Sequence, residues 1–594
     1  MNPIPNLAEI ENIVASTEAK GFPRLNLSVL RNITVEAIEP YLKYYGLMSG
    51  YSLKIKFGKY DQILQEVIGD YSDLLNVDTN YIFVFAQLDS LSSSLSLRYC
   101  SLSFQEVEAE VNEIVSYIET VIKGIRNKTD GTILWFGFEA PLYPALGIWE
   151  SQRDDGQLET VRRLNWMLKR ILRESENAYF VDMDLCIARV GVNHFYDNRY
   201  WHIGRAPYSR EALSTVAVEI NKYIRALLGK NRKCLILDCD NTLWGGVVAE
   251  DGVSGVRLGS EYPGSAYLEF QQEVLNLHDR GIILSLCSKN NEDDVWDMFR
   301  QHPDMVLTEE HIAASRINWD NKADNIRQLA EELNIGLDSI VFVDDSEFET
   351  GLVRSELPEV AVICLPSNRS VEYRDILRAC GHFDSLTFSD EDKERGQMYR
   401  TESKRKRGLH DTVDIDSYYR SLEMVATSSL SDEFSIPRIA QQTQKTNQFN
   451  LTTKRYSEDD VEKFMADSIH DVIYVKYSDK LGDSGIVGSS ILRYDEEVVY
   501  IDTFLVSCRA LGRGVEVVLL ASVLRLASSK GFDRVVGVYS RTAKNGQTEH
   551  FYKEHGAKLV ESSQDSPDVL FEFDLSAILV RLPDYYSKIE LIVN

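Results

Sequence analysis

The stretch Leu235-Ile236-Leu237-Asp238-Cys239-Asp240-Asn241-Thr242-Leu243 decides the reading of this chain. Three aliphatic residues run into two carboxylates separated by one residue, the pattern of a buried strand that ends in charge. Burying a carboxylate is costly unless a cation or a reaction uses it, and ligands of open α/β sheets gather at the carboxyl ends of the strands. Asp238 and Asp240, followed by Thr242, therefore point to an acid that attacks a phosphoryl group and a neighbour that handles the proton. Chemistry-bearing residues recur downstream. Residues 281–286 read as a second apolar strand that delivers Ser288, Lys289 and Asn290; Lys322 opens a helical stretch over 321–334; residues 339–343 read as a further strand ending in Asp344-Asp345, with Glu349 behind. Four aspartates at strand ends, with no basic neighbour in sequence, would repel one another unless a cation joined them.

The ordered set Asp-x-Asp-x-Thr, Ser, Lys, Asp-Asp resembles the haloacid-dehalogenase-like (HAD) phosphotransferases. The resemblance implies that Asp238 is the nucleophile, forming an aspartyl-phosphate, and that Asp240 protonates the leaving alkoxide and then activates water. Thr242, Ser288 and Lys322 would hold the substrate's phosphoryl group. Mg²⁺ would sit on Asp238, the carbonyl of Asp240 and Asp344, with Asp345 as a ligand or just behind, an all-oxygen set suited to that ion. After Thr242 comes Trp244-Gly245-Gly246-Val247-Val248-Ala249-Glu250-Asp251-Gly252, whose glycines permit a tight flap over the pocket. The interval from Thr242 to Ser288 has room for that flap, one helix and one strand, and not for a separate cap domain. An open pocket of this kind suits a substrate carried by, or handed to, a protein.

At 594 residues the chain exceeds one core, and roughly 100–200 residues per domain implies three to five domains. Apolar content of 44% and charged content of 26% are ordinary for a globular protein. The net charge of −28 disfavours non-specific nucleic-acid binding. No apolar run approaches the ~20 residues of a bilayer span, and residues 1–20 lack the basic-then-apolar pattern of an export signal. The cysteines at 100, 186, 234, 239, 287, 364, 380 and 508 are scattered, several within apolar strands, so a reduced cytoplasm is expected.

The expected fold class is α/β in three domains. Residues 1–225 alternate strands (25–30, 52–57, 81–88, 132–138, 179–185) with helices (clearest over 104–126 and 158–176), which implies a parallel sheet covered on both faces. The layout resembles SGNH-hydrolase or flavodoxin sandwiches, but an esterase would want Gly-Asp-Ser after the first strand and Asp-x-x-His late. Here the first strand carries Ser28 and runs into Asn32, with Asp197 and His202 five apart, so a degenerate docking module is expected. Residues 226–385 are the Rossmannoid HAD-like core. A charged link carries Lys404-Arg405-Lys406-Arg407, either a solvated helix surface or a seat for an acidic partner. Within 386–594, a hairpin over 486–506 precedes Ser507-Cys508-Arg509-Ala510-Leu511-Gly512-Arg513-Gly514 and a helix over 515–531; a strand over 534–540 and a helix bearing Phe551-Tyr552 follow. Strand, glycine turn and helix resemble the pyrophosphate-binding motif of GNAT acyltransferases, in which backbone N–H groups at a helix start meet a phosphate.

Asp-Cys-Asp-Asn-Thr-Leu-Trp-Gly-Gly-Val-Val, Lys445-Thr446-Asn447-Gln448-Phe449-Asn450-Leu451-Thr452, Gly482-Asp483-Ser484-Gly485 and Ser507-Cys508-Arg509 together resemble the FkbH-like proteins, HAD-type glyceryl transferase/phosphatases. The resemblance implies that 1,3-bisphosphoglycerate is the substrate, that its acyl group is loaded as a thioester, that its other phosphate is removed, and that an acyl carrier protein accepts glyceryl on its phosphopantetheine for polyketide or related biosynthesis. Cys508 is the candidate thiol, with Arg509 and the following helix start lowering its pKa; Gly512 and Gly514 would lie along the substrate arm. Cys239 competes, but strand alternation turns it from both acids towards the core. Asn447, Gln448 and Asn450 either bind the pantetheine or glyceryl group or satisfy a buried turn. His550 and Tyr552 read as core aromatics more readily than as proton donors. A plain Mg²⁺-dependent phosphatase with a passive GNAT-like scaffold is the alternative.

Overall fold

The computed structural model describes residues 6–17, 21–69, 73–388, 398–401, 419–446, 448–507, 510–542, 545–560, 568–576 and 580–591. The chain forms two compact units, Met1–Leu228 and Gly229–Asn594. In the first, β1 (Arg24–Arg31), β2 (Ser52–Phe57), β3 (Tyr81–Phe85), β4 (Thr132–Phe136) and β5 (Ala178–Val181) form a parallel sheet in the order β2-β1-β3-β4-β5. That is the flavodoxin-type order. Two apolar clusters sandwich it, one including Val29, Phe83 and Leu134 and the other Leu30, Val84 and Trp135, so neighbours along each strand face opposite layers. The helix Phe104–Arg126 spans the residues its periodicity predicts, opened by a Ser103–Glu106 capping box. The strand expected over 179–185 stops at Val181 because Asp182 caps a helix, Met183–Val190. The strand expected over 81–88 likewise ends at Phe85, and Leu88 starts a short helix.

The second unit holds two sheets. Its first is parallel throughout: β6 (Cys234–Leu237), β7 (Ile283–Ser288), β8 (Ile312–Ile317), β9 (Ile340–Asp344) and β10 (Ala361–Cys364), in the order β10-β9-β6-β7-β8. Its second sheet is mixed, with β11 (Val425–Leu430), β12 (His470–Asp479), β13 (Gly482–Tyr494), β14 (Val499–Val506), β15 (Arg534–Ser540), β16 (Lys558–Val560), β17 (Asp568–Asp574) and β18 (Lys588–Glu590) ordered β16-β17-β15-β14-β13-β12-β11-β18. The helix Val515–Ser529, apolar nearly all round, lies buried against this sheet. Parallel pairing of β14 with β15 covers three residues, Val499–Ile501 against Val535–Gly537, and the two strands then part. No helix among the described residues is long and apolar enough to cross a membrane.

Candidate active site

β6 is four residues long and fully buried between β9 and β7. Leu235, Leu237 and Cys239 belong to one apolar cluster and Cys234 and Ile236 to the opposite one, so the two-residue period that sends Cys239 into the core gives Asp238 and Asp240 the other face. Burial pushes the Cys239 thiol far up, and it behaves as the core filler its position predicts. Asn241, in the left-handed region at φ 53°, turns the chain; its Oδ1 accepts from Gly246 N at 2.9 Å, folding the flap back.

Two of the other motifs converge on Asp238, and the Ser288-Lys289-Asn290 motif reaches Asp240. Asn321 caps the helix Lys322–Leu333 by accepting from Ala323 N at 2.7 Å. Lys322, the first helical residue, carries its ammonium between two carboxylates, 2.8 Å from Asp238 Oδ1 and 2.6 Å from Asp344 Oδ2. Burial alone would lower the Lys322 pKa, but the paired aspartates hold it above its ordinary value. The aspartates have no basic neighbour in sequence, and their basic partner, remote in sequence, is adjacent in space. Asp238, Asp344 and Asp345 present carboxylate oxygens within 4.8 Å of one another. Burial first, and then the charge of Asp238, raise Asp344 to about 6 and Asp345 to about 7. An all-carboxylate set this crowded fits a hard divalent cation, which would relieve the repulsion.

The Asp240 carboxylate points elsewhere. Its Oδ1 accepts from Trp244 Nε1 at 2.9 Å and Val248 N at 3.1 Å, and its Oδ2 from Asn290 Nδ2 at 2.8 Å. Burial raises its pKa against the pull of those donors. Of the four residues expected to hold the metal, Asp240 therefore contributes no carboxylate to the cluster. Ser288, 2% exposed, ends β7. Thr242 is fully buried and its Oγ1 has no hydrogen-bond partner among the described residues. Glu349 accepts from Lys289 Nζ at 2.7 Å, while its Oε2 is also buried without a partner among the described residues. Trp244 and Asn290, which orient Asp240, were named in the sequence only as flap and motif residues. Their roles had one local signal: Asn290 stands two after Ser288, where a strand's period returns to the same face.

In the mixed sheet, Gly512 and Gly514 take φ of 78° and 77°, and Gly514 caps the helix Val515–Ser529. Cys508, Arg509, Asn447 and the basic run at 404–407 lie outside the described residues. Gln448 is half-buried. Asn450 is fully buried, donating to Thr446 O at 3.2 Å and accepting from Thr453 N at 2.8 Å, which is the turn-satisfying role of the two left open. Tyr552 is buried among Phe504, Phe551, Phe571 and Phe573, as a core aromatic. In the first unit, Ser28 is buried and donates to Leu74 O at 2.6 Å. Asp197 accepts from Arg199 N and Tyr200 N as a helix cap, and His202 is exposed.

Residues 26–225 match the family model of the FkbH N-terminal domain, so the FkbH-like resemblance holds over that region. No curated protein matches the chain. The chain is similar to the crystal structure of the N-terminal part of a Bacteroides fragilis protein containing a phosphatase domain, complexed with Mg: 28% identity, 65% of this chain and 100% of that one covered, TM-score 0.58. Other structures match at low similarity, an acetyltransferase and Ard1 among them. The ribosomal-protein-S18-alanine N-acetyltransferase of Escherichia coli does so with 11% identity, 27% of this chain, 99% of that one and a TM-score of 0.21. Ard1 of Thermoplasma volcanium does so with 19% identity, 25% and 97% coverage and a TM-score of 0.20.

Proposed function

We propose that this FkbH-like chain is a bifunctional glyceryl transferase/phosphatase that takes 1,3-bisphosphoglycerate, forms a glyceryl thioester, removes the remaining phosphate and loads glyceryl onto an acyl carrier protein. In this reading residues 1–225 are a docking module, 226–385 the phosphatase domain and 386–594 the acyltransferase domain, working in a reduced, cytoplasmic compartment. The observation that supports it most is the buried Asp238–Lys322–Asp344 bridge with Asp345 alongside. The similarity to a Mg-complexed phosphatase domain adds to it.

Asp238 attacks phosphorus and the ester P–O bond breaks, leaving an aspartyl-phosphate. Asp240, aimed by Trp244, Val248 and Asn290, protonates the departing alkoxide and then takes a proton from the water that hydrolyses the phospho-enzyme. Lys322, Ser288 and the unengaged hydroxyl of Thr242 hold phosphoryl oxygens. Mg²⁺ bound on Asp238, Asp344, Asp345 and the Asp240 carbonyl would draw off negative charge at the phosphoryl group. In the acyl half, the Cys508 thiolate attacks the carbonyl of the acyl phosphate, the C–O bond to phosphate breaks, and the thioester passes to the pantetheine thiol. Intact-protein mass spectrometry with 1,3-bisphosphoglycerate and Mg²⁺ tests this. A hydroxylamine-labile glyceryl adduct is expected, lost in Cys508→Ala and discharged by holo carrier protein. Phosphate release with no protein-bound acyl species would leave only a phosphatase.

A further inference from the structure

In the first unit, residues 197–207 leave the body of the domain and return to it between Tyr196 and Tyr208, which pair as an antiparallel bridge. The neck of this excursion is fixed in several ways. Asp197 N donates to Pro207 O at 2.8 Å and Ser209 N to Phe195 O at 2.9 Å. Tyr196 Oη and Tyr208 Oη both donate to Glu139, at 2.8 and 2.5 Å. The fully buried Phe195 lies edge-on to both tyrosine rings, with centroids 5.1 and 5.5 Å away. The far side is tied as well, since Thr34 N donates to Arg205 O at 2.9 Å and Thr34 Oγ1 to Gly204 O at 2.6 Å. A segment with close ends and its own internal hydrogen bonds is an Ω-loop.

Within the loop, Asn198–Gly204 is a helix capped by Asp197 and ended by Arg205 in the left-handed region at φ 56°, and none of its residues is buried. A helix this short does not persist by propensity, so the ties at its two ends hold it in place. Trp201 packs against the apolar cluster of the domain, whereas Tyr200 and Ile203 are 49% and 73% exposed. Those two stand three residues apart, on one helix face. The Arg199 guanidinium lies 4.8 Å from the Tyr200 ring centroid, and that of Arg205 lies 4.8 Å from the Trp201 ring centroid. Both arginines are exposed, and neither has an ion pair among the described residues. Over 191–210 the only acid is Asp197, whose carboxylate is taken by the cap, against arginines at 199, 205 and 210. In a chain of net charge −28 this is a local reversal of sign.

We propose that the 197–207 loop is a docking finger for an acidic face of the carrier protein. Tyr200 and Ile203 enter an apolar cleft on that face, and Arg199 and Arg205 pair with carboxylates around it. The inference rests on the docking-module reading above and adds to it the place of the contact and the charge of what it takes. Aromatic and arginine side chains dominate the energy of protein interfaces, and a loop already held in shape loses little freedom on binding. Two fingers of neighbouring copies, by contrast, would set like charges against each other.

The test is calorimetric titration of the full chain with a holo acyl carrier protein of net negative charge, comparing wild type, Ile203→Ser, and Arg199→Glu with Arg205→Glu. Each variant should bind at least about tenfold more weakly than wild type, the loss expected of a hot-spot side chain. Raising salt from about 50 to about 300 mM should weaken wild type and leave the charge reversal little changed. Circular dichroism should be the same in all three, since none of the helix residues is buried. Wild type that does not bind the carrier, or binds it no more tightly than the variants, would overturn the proposal. So would self-association in sedimentation that the same substitutions abolish, which would give the loop to a second copy. The glyceryl adduct of the chain alone is followed on the same preparations. Its absence from wild type would count against the acyl-transfer reading, and the titrations would still decide the finger.

Discussion

Two parallel sheets in this chain carry carboxylates at their carboxyl edges, and they treat them oppositely. In the first unit, Glu139 follows β4 and accepts from Tyr196 Oη at 2.8 Å, Tyr208 Oη at 2.5 Å and Gln87 Nε2 at 3.4 Å. Beside it, at the edge between β1 and β3, Asn32 accepts from Gln87 N at 2.7 Å and donates to Gln87 O at 2.9 Å. Burial pushes the Glu139 pKa up, and the tyrosine hydroxyls counter it. In the second unit, three carboxylates crowd around one ammonium, two of them lifted to about 6 and 7, and Thr242 Oγ1 and Glu349 Oε2 are buried without partners among the described residues. The carboxylate of the first edge is fully engaged by hydrogen-bond donors, although Arg31 Nε at the end of β1 is buried without a partner among the described residues, whereas the second edge crowds several carboxylates that a ligand could engage.

The largest expected effect tests that contrast directly. Asp238→Asn should lower phosphate release by at least about 10³-fold, since no other group at the site replaces a nucleophile, with circular dichroism unchanged. Glu139→Gln should leave turnover at the wild-type level. Equal losses from the two substitutions would erase the distinction between the edges.

Next comes the bridge. Lys322→Met leaves Asp238 and Asp344 buried without their cation, which should cost about 3–5 kcal/mol in denaturant unfolding as well as activity. Added Mg²⁺ should recover part of the stability and none of the lost phosphoryl contact. A variant as stable as wild type would show that the ammonium does not hold the cluster together.

A smaller effect follows from pH. Asp344 and Asp345 have folded pKa values above those of the unfolded chain, so they bind protons more tightly when folded. Their contribution to metal-free stability is full below about pH 4 and is lost as pH rises through about 6 and 7. A cation needs the ionised forms, so its stabilisation grows over the same interval. The gap between melting temperatures in Mg²⁺ and in chelator should be wider at pH 8 than at pH 5.5, and narrower in Asp345→Asn. A gap independent of pH would remove these two carboxylates from the metal site.

The reactive edge was legible in sequence because its signals are local: an apolar run, an acid at its end, a cap before a helix. What those residues touch was not. Lys322 reaches Asp238 across β7, β8 and the intervening helix, and Asn290 finds Asp240 only once β6 and β7 are paired. The first unit's strands were legible by alternation, but strand ends at Val181 and Phe85 were overrun because apolar residues continue into the helices that follow. The bridge that residues 449–451 make to β14 and to Ser540 has no periodicity to read, because the strand edges that pair with it lie far along the chain. Its amide-rich run suggested either a ligand or a buried turn, and Asn450 serves the turn.

The smallest prediction sharpens the comparison at the residue where an esterase would be sought. The hydroxyl of Ser28 donates to Leu74 O, and the side chain is 2% exposed in the middle of β1. Ser28→Ala removes the donor and leaves one carbonyl unsatisfied, a cost of about 1–3 kcal/mol. A nucleophile would instead need a base within reach and an opening to substrate. Asp197 spends its carboxylate on a helix cap and His202 faces solvent. Ester hydrolysis by the full chain, assayed with p-nitrophenyl acetate, should therefore be the same in Ser28→Ala as in wild type, with only the unfolding midpoint lowered. A selective loss of ester hydrolysis would make the first sheet a second reactive edge, and the satisfied hydrogen bonds around Glu139 would no longer mark a scaffold.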